Sequence, residues 1–304
     1  AYPKGRFSFF KFDSNLTEGK DKISLNNSQI DSIISSIKDK RSLPSYVKQD
    51  LSKSDHIGSL SYKASILKPY VLGEKYNTPS PFKKYLRNKE TRETLSLWNQ
   101  LCKEKNWTFE NKKILLFPLQ FQPEANLDVH GNKFRDQTKT VSKISKLLPN
   151  NWILSVKPNP KSKYELNKAL LNVVSKSNNI FPINSNLTME NIFPTVDAVF
   201  TVTGTIAQEC FFSDKPFAVF GPCITENAIN TYKLSSYEDI IGLVRLIDNR
   251  KYKFPSNEEK RNLLKKLFKQ SFVGSIGDPI YNPESLEDKN INLVCDALLG
   301  IIER

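Results

Sequence analysis

The sequence predicts an α/β protein whose main layer is a Rossmann-like parallel sheet. From about residue 111 to residue 220, short apolar runs alternate with segments of helical periodicity. The runs are nearly continuous in Ile, Leu, Val and Phe, which is typical of strands buried on both faces. Strands that alternate with helices join through right-handed crossovers, and such crossovers build a parallel sheet.

The strands and helices of this layer can be placed from the apolar runs and the turn residues between them. The first apolar run, in ILLFPLQFQPE, begins at residue 114 and is interrupted by prolines at 118 and 123. The predicted strands cover residues 114–121, 152–156, 180–183, 198–202 and 217–220. The helices between them cover residues 136–148, 164–175, 188–193 and 205–212. Ligands of open α/β sheets bind at the carboxyl ends of the strands, so the residues that follow each strand are the candidates for function.

The rest of the chain is predicted to flank this layer. Residues 1–110 are polar and irregular, with a strand at 5–13, an amphipathic helix at 27–40 and a long helix at 82–105 that suits a domain junction. Loops are predicted after Gly221 and at 271–284, and helices at 237–247, 257–269 and 290–302. We therefore predict an N-terminal domain at 1–110, which includes the connecting helix, and a nucleotide-binding domain with terminal helices at 111–304.

Composition narrows the classes of function. The chain has 304 residues with a net charge of +13, which suggests an acidic partner such as a phosphorylated ligand or an anionic membrane face. The basic residues are spread along the chain, which argues against specific nucleic-acid binding. The four cysteines form no CxxC pair and the two histidines cannot make a metal site, so we expect a reduced, cytoplasmic protein without metal or cofactor. No apolar run reaches the about 18 residues that span a bilayer.

A turn with anion-binding chemistry follows the fourth predicted strand. In Thr201-Val202-Thr203-Gly204-Thr205 the chain leaves a strand and enters a helix, whose first backbone N–H groups can hold a phosphate. The hydroxyls of Thr203 and Thr205 add donors, and Glu209 lies one turn further on. A threonine that merely caps a buried helix, with Glu209 on its surface, explains the same residues.

Further candidates follow the first two strands. Gln120, Gln122 and Glu124 lie beyond the first strand, and Lys157 ends the second, where its charge would face a phosphate held by the threonine turn. A surface lysine is the alternative interpretation. His130 lies in the loop after the first strand and is a candidate acid or base.

Four stretches stand out by their order and spacing: PLQFQPEAN at 118–126, FRDQ at 134–137, LPNNWILSVKPNP at 148–160 and TVTGTIAQECFFSDKPFAVFG at 201–221. Together they resemble the capsule polysaccharide biosynthesis family, which includes the retaining β-Kdo glycosyltransferases (Kdo is 3-deoxy-D-manno-oct-2-ulosonic acid). The resemblance covers residues 85–221.

The family has a PLxxQPE-like run, a Lys-Glu-His-Pro segment and a Thr-Gly-Thr turn followed by an acidic residue and Lys-Pro. The first is matched by Pro118, Leu119, Gln122, Pro123 and Glu124. In the second, Lys157 and Pro160 are kept, and Pro158 and Asn159 replace the glutamate and histidine. The third is matched by Thr203, Gly204, Thr205, Glu209, Lys215 and Pro216.

The resemblance implies a GT-B-like architecture of two Rossmann-like domains, the N-terminal one reduced. It implies a glycosyltransferase of capsule or lipopolysaccharide synthesis that transfers a sugar from CMP-Kdo, or from another CMP-activated donor, to a glycan acceptor with retention. Glu124 would be the nucleophile. Gln120, Gln122, Lys157, Asn159 and the threonine turn would bind the donor, and Asn159 can donate a hydrogen bond but carries no charge. A cytoplasmic enzyme of this kind would contact the inner membrane surface peripherally.

Two other classes of function remain open from the sequence. The lost histidine is compatible with a catalytically inactive, transferase-like scaffold. The charge of +13 is compatible with a polyanion-binding or nucleic-acid-binding module. Saturable binding with a preference among nucleotides would distinguish a transferase from the latter.

Overall fold

The computed structural model describes residues 5–9, 25–38, 64, 67–68, 70–73, 80–105, 111–122, 126–159, 165–226, 228–277 and 282–303. The chain divides into two compact units. The larger unit is Leu60–Pro255, and the smaller combines Ala1–Ser59 with Ser256–Arg304. The predicted domain boundary near residue 111 stays a prediction.

The secondary structure of the described residues is mixed. The strands are β1 Arg6–Phe7, β2 Lys113–Pro118, β3 Trp152–Lys157, β4 Ile180–Pro182, β5 Ala198–Thr201, β6 Phe217–Val219, β7 Tyr232–Lys233 and β8 Phe272–Val273. The α-helices are α1 Asn27–Lys38, α2 Pro81–Glu104, α3 Gln137–Leu147, α4 Lys168–Lys176, α5 Met189–Ile192, α6 Ile206–Phe212, α7 Ile240–Asp248, α8 Asn257–Lys269 and α9 Asp288–Ile302. Single turns of other helix types are the π-helix Asn126–His130 and the 3-10 turns Asn132–Phe134, Phe193–Thr195 and Pro283–Leu286.

The larger unit is built on a six-stranded sheet in the order β4-β3-β2-β5-β6-β7. Every neighbouring pair in it is parallel. After β2 the chain builds outward through β3 and β4, and it then crosses back to place β5 on the other side of β2. The strand order therefore reverses between β2 and β5, which is where open α/β sheets bind their ligands.

The central strands are buried because their residues are apolar on both faces. Leu115, Leu116 and Phe117 of β2 are fully buried. On one face of the sheet, Leu115 and Phe117 join a core formed with helices α3, α4 and α7. Phe117 and Phe200 of neighbouring strands stack in that core with their ring centroids 4.4 Å apart. Helix α6 packs against β5 and β6.

Side-chain caps fix where the flanking helices begin. The Asp136 side chain accepts from the Lys139 amide at 2.9 Å at the start of α3, and Asn167 does the same for Leu170 at α4. Ser256 and Glu259 form a capping box at α8. Each cap stabilises its helix by about 1 kcal/mol.

Two side chains, Trp98 in the second half of α2 and Lys105 just beyond its end, hydrogen-bond to other elements of the larger unit. The buried Trp98 indole donates to the Ile183 carbonyl at 2.9 Å, beside β4. The Lys105 ammonium donates to the carbonyls of Val174, Ser177 and Ile180, at 2.7, 2.5 and 3.0 Å, around the end of α4. A cation at a helix carboxyl terminus satisfies carbonyls that the helix itself leaves unpaired.

The smaller unit joins the two ends of the chain. Strands β1 and β8 pair antiparallel, with Phe7 opposite Phe272. The aromatic rings of Phe7, Phe9 and Phe272 pack together against Ala297 of α9. Helices α1 and α8 contact each other, and Arg261 donates to both carboxylate oxygens of Asp31 at 2.8 and 2.6 Å.

The predicted α/β fold class with a Rossmann-like parallel sheet is confirmed by the six-stranded parallel sheet and the helices that flank it. Two loop predictions are wrong in part. The segment after Gly221 contains β7, and the predicted loop 271–284 contains β8 and a 3-10 turn. The predicted strand 5–13 appears as β1 at Arg6–Phe7. Residues 10–24 and 39–63 lie outside the described residues, so a second Rossmann-like domain in the N-terminal part stays a prediction.

Candidate functional site

The candidate site lies at the carboxyl ends of β2 and β5, the two strands between which the sheet order reverses. Gln120 and Gln122 follow β2, and Thr203, Gly204 and Thr205 follow β5. The polar residues predicted at two separate strand ends therefore come together at one edge of the sheet.

The Gln120 side chain joins the two strand ends directly. Its amide nitrogen donates to the Thr203 hydroxyl at 3.1 Å, and its amide oxygen accepts from the Thr203 backbone N–H at 3.2 Å. Both ends of one side-chain amide are used, so the two loops have a fixed separation. The sequence singled out Gln120 as a ligand-binding residue, which stays a prediction, and the structure shows that its side chain bridges the two strand ends.

Gln137, at the start of α3, forms hydrogen bonds with the loop that follows β2. Its side-chain oxygen accepts from the Gln120 backbone N–H at 2.8 Å, and its amide nitrogen donates to the Gln120 carbonyl at 2.8 Å. The same nitrogen donates to the Gln122 side-chain oxygen at 3.0 Å. Gln137 is only 2% exposed. A buried amide with this many partners is costly to remove, because the groups it satisfies would be left unpaired.

Gln122 extends this network away from the sheet. Its amide nitrogen donates to the Asp128 carboxylate at 3.0 Å and to the Arg135 carbonyl at 3.2 Å. Its backbone N–H donates to the buried Glu165 carboxylate at 3.3 Å. Gln122 is therefore fixed by hydrogen bonds to Asp128, Arg135 and Glu165.

The turn after β5 is tight because glycine occupies position 204. The Gly204 N–H donates to the Thr201 hydroxyl at 3.0 Å. A Cβ at this position would lie 2.5 Å from the Thr201 Oγ1, a separation too short for unbonded atoms. Close approach, rather than a left-handed backbone, is thus what requires glycine here.

Thr205 stands at the start of α6 but does not cap it with its side chain. The first hydrogen bonds of this turn run from Ala207 to the Gly204 carbonyl and from Gln208 to the Thr205 carbonyl. Thr205 is exposed. Thr205 is therefore not a side-chain cap of α6.

Lys157 places a positive charge near the candidate site. It ends β3 opposite Pro118, and the pairing of Leu116 with both Ser155 and Val199 places Lys157, Pro118 and Thr201 in one row on one face. The Cα atoms of Lys157 and Thr201 are thus roughly 10 Å apart, two strand spacings.

Lys157 is not a surface residue, since it is only 5% exposed. Its ammonium donates to the Pro158 carbonyl at 3.3 Å. Burial lowers the pKa of this lysine to about 8, because an ammonium loses hydration in a protein interior. A buried cation at a sheet edge is stabilised by an anionic ligand, and a phosphate is one such ligand.

The remaining predicted residues are placed less centrally. His130 ends the π-helix and is exposed, and its carbonyl lies 3.7 Å from where a Cβ at Gly221 would be. Asn159 follows Lys157 and is half-buried, and Glu209 is half-buried in the first turn of α6. Glu124 and Pro123 lie outside the described residues, so the role of Glu124 stays a prediction.

Two residues of the site were not singled out from the sequence, and a third, Gln137, belongs to the FRDQ stretch of the resemblance but was given no role of its own. Thr201 was counted as a strand residue, although its hydroxyl holds the turn at Gly204. Glu165 is 1% exposed and lies in a segment that the sequence assigned to a helix, whereas α4 begins at Lys168.

Among the described residues, no group of His, Cys, Asp and Glu side chains is arranged to hold a metal ion. Within the same part of the chain, none of the helices combines the length and apolar character that crossing a membrane requires. None of the four cysteines forms a disulfide, and Cys102 and Cys210 are buried.

Several solved structures are similar in fold. A β-Kdo 2,7-transferase, KpsC of Thermosulfurimonas dismutans, covers 70% of this chain at 16% identity with a TM-score of 0.40. A β-Kdo 2,4-transferase, KpsC of the same organism, covers 74% at 13% identity and a TM-score of 0.34. A UDP-GlcNAc 2-epimerase of Methanocaldococcus jannaschii covers 58% at 16% identity and a TM-score of 0.36.

The chain spans 60%, 65% and 53% of the length of these three proteins, respectively. At such identities the similarity concerns the fold, and it transfers no activity to this chain. No family model matches the sequence, and no curated protein matches it.

Proposed function

We propose that this chain is a glycosyltransferase that uses a nucleotide-activated sugar. The observation that carries the proposal is the Gln120 bridge at the switch point of the sheet, with the buried Lys157 one strand away. The donor phosphate binds between the Thr203–Thr205 turn and the Lys157 ammonium. There the hydroxyls of Thr203 and Thr205 can donate to an anion and the cation favours it, whereas the Thr203 and Gly204 backbone N–H groups already donate to Gln120 and Thr201.

The finer assignment rests on the sequence resemblance. The donor is CMP-Kdo, and the acceptor is a glycan of a capsule or lipopolysaccharide. The residues predicted for the donor site are Gln120, Gln122, Lys157, Asn159, Thr203, Gly204, Thr205 and Glu209. Asn159 replaces a histidine of the family, so in this chain Lys157 is the charged partner of the phosphate.

In the proposed reaction Glu124 attacks the anomeric carbon of the sugar. The bond between that carbon and the phosphate oxygen breaks, and CMP leaves with the bonding electron pair. The acceptor hydroxyl then attacks the same carbon and displaces Glu124, losing its proton to a base, for which His130 is the candidate. Two displacements give net retention of configuration. The network around Gln122 supports this chemistry, because a nucleophile acts best from a loop held in place.

Nucleotide titration tests the donor site. We expect saturable binding of CMP that is tighter than binding of UMP. Gln120→Leu removes both contacts to Thr203 and should weaken CMP binding at least about tenfold, the scale of one or two lost hydrogen bonds. Lys143→Gln, on the exposed side of α3, is the matched control and should bind as the wild type does. Equal, weak and salt-sensitive binding of all polyanions would instead indicate a polyanion-binding module.

A donor screen tests the reaction class. CMP-Kdo and other CMP- and UDP-sugars are incubated with the chain, and mass spectrometry of the intact protein follows both hydrolysis and any sugar adduct. We expect release of CMP from CMP-Kdo and an adduct on the peptide that contains Glu124. CMP binding without turnover of any donor would assign the chain to the inactive scaffold class.

A further inference from the structure

Helix α9 carries a row of exposed apolar side chains along one face. Ile291, Leu298 and Ile302 are 41%, 44% and 70% exposed, and Cys295 between them is exposed as well. Their spacing of four, three and four residues is that of the a and d positions by which two helices pair. Single exposed apolar residues need no explanation, whereas a contiguous row of them marks an interaction surface. We call these four residues the α9 seam.

The α9 seam is not the face by which the helix packs on its own unit. Ala297 is buried together with Phe7 and Phe272. Val294 and Ile301 are half-buried against the same cluster. At 3.6 residues per turn, Val294, Ala297 and Ile301 centre about 100° around the helix from the seam. The apolar arc of α9 therefore extends well beyond the part that its own core covers.

More apolar surface adjoins the amino-terminal end of the seam. Ile276 and Leu286 are exposed. The Asn290 side chain, one residue before the seam, holds both of their segments. Its oxygen accepts from the Ser275 backbone N–H at 2.7 Å, and its nitrogen donates to the Ser285 carbonyl at 2.9 Å. The exposed apolar surface is therefore larger than the seam alone.

The charges of this helix select the class of partner. The whole chain has a net charge of +13. By contrast, α9 carries the acidic residues Asp288 and Asp296 with a single basic residue, Lys289, and Glu303 follows its end. A nucleic acid or an anionic membrane is attracted by an excess of positive charge, which this helix lacks. An uncharged apolar row on such a helix fits a protein surface of the same kind.

We propose that two copies of the chain dimerise through their α9 seams, which pair antiparallel about a two-fold axis. The spacing of four, three and four residues reads the same in both directions. An antiparallel pair therefore places Ile291 opposite Ile302 of the partner subunit, and Cys295 opposite Leu298 of the partner subunit. Such a contact is isologous, and two-fold dimers of this kind are the commonest soluble oligomers. This inference does not depend on sugar transfer.

The charges at the two ends of α9 favour the antiparallel orientation. In that orientation Lys289 lies level with Glu303 of the partner subunit and on the same side of the helix pair. A parallel pair would instead place each charged residue beside its own copy, and like charges that face each other weaken an interface. The antiparallel arrangement also sets opposite ends of the two helix dipoles side by side.

The size of the contact predicts a weak dimer. Helix α9 has 15 residues and is therefore about 22 Å long. One helix pair of this length buries less than the about 1,200 Å² at which stable interfaces begin, even though Ile276 and Leu286 enlarge the contact. We therefore expect dissociation in the micromolar range.

Sedimentation equilibrium of the full chain tests the association. We expect a monomer–dimer equilibrium with a dissociation constant of about 1–50 µM. Ile291→Ser with Leu298→Ser should raise this constant at least about tenfold, because it removes apolar surface from the contact. Val71→Ser with Leu72→Ser changes equally exposed apolar residues of the larger unit and should leave the constant unchanged. A wild type that is monomeric at about 200 µM, or a seam variant that dimerises as the wild type does, would overturn the proposal.

Disulfide trapping tests the orientation independently. In an antiparallel pair Cys295 faces position 298 of the partner subunit, so Leu298→Cys should form a covalent dimer under mild oxidation. Cys295→Ser with Leu298→Cys is the matched control. It should form at least about tenfold less covalent dimer, because equal positions are offset by three residues, about 4.5 Å, along the pair. No covalent dimer of Leu298→Cys, or rapid oxidation of the wild type through Cys295 itself as in a parallel pair, would overturn the proposal.

Discussion

Replacing Lys157 with methionine should stabilise the protein and weaken its nucleotide binding at the same time. Lys157 is only 5% exposed, and burial lowers its pKa from 10.5 to about 8. Each unit of pKa corresponds to about 1.4 kcal/mol, so keeping this ammonium charged in the folded protein costs about 3 kcal/mol. Methionine has a similar length and no charge, and it therefore removes this cost.

The sign of the pH dependence follows from the two pKa values. Between pH 8 and pH 10.5 the unfolded chain keeps a proton on Lys157 that the folded chain has released. The free energy of unfolding therefore rises with pH in this window, and the contribution is flat below it. The wild type should gain stability relative to Lys157→Met as the pH increases from 8 to 10.

Urea unfolding at several pH values measures this difference. At pH 7 we expect Lys157→Met to be more stable than the wild type by about 1–3 kcal/mol, and the difference to shrink toward pH 10. Lys143→Met, at an exposed position, is the control and should change stability by no more than about 0.5 kcal/mol at any pH. A less stable Lys157→Met at pH 7, or a difference that does not depend on pH, would refute the buried-cation account.

The same variant tests the function of this cation. A bound phosphate should keep Lys157 protonated, so CMP affinity of the wild type should fall by up to about tenfold from pH 7 to pH 9. Lys157→Met should bind CMP about 1–3 kcal/mol more weakly at pH 7 and lose this dependence. Removing a residue that serves stability alone would not stabilise the protein. A gain in stability at the cost of ligand binding is typical of substitutions in functional sites.

The remaining predictions concern the two loops of the site. Glu124→Gln should leave CMP binding nearly intact and lower turnover by several orders of magnitude, which donor hydrolysis measures; wild-type turnover would exclude Glu124 as nucleophile. Gly204→Ala should destabilise the protein by about 1–3 kcal/mol and weaken CMP binding, because its Cβ meets Thr201 Oγ1 at 2.5 Å. Adding Thr201→Ala should relieve part of this loss in urea unfolding, and no relief would show that the clash is not the cause. Gln137→Leu should cost about 1–3 kcal/mol in the same assay, since the Gln120 backbone N–H and carbonyl each lose their side-chain partner. An unchanged unfolding midpoint would contradict a stabilising role for the Gln137 contacts.

Much of the larger unit could be predicted because its strands are apolar and separated by helices with clear caps. The predicted strands at 114–121, 152–156 and 198–202 correspond to β2, β3 and β5 within a few residues. Strands β7 and β8 have two residues each, and so short an element has no periodicity to detect. Their pairing depends on partners far away in the chain, such as β1 for β8.

Several residues of the candidate site could be predicted from the sequence, but only part of its geometry could. Strand ends are visible in the sequence, and this was enough to select Gln120, Lys157 and Gly204. The burial of Lys157 could not be predicted, since lysines are usually exposed. The clamp by Gln137 depends on how α3 packs behind β2, which is a tertiary contact that no local pattern encodes.

A crystal structure of the chain with CMP is the most direct test of the account. We predict that the CMP phosphate lies at the carboxyl ends of β2 and β5, within hydrogen-bonding distance of the Thr203–Thr205 turn and of the Lys157 ammonium. The Gln120 bridge to Thr203 should be present in that complex. A nucleotide bound elsewhere, or a phosphate far from both the turn and Lys157, would contradict the assignment of this sheet edge as the donor site.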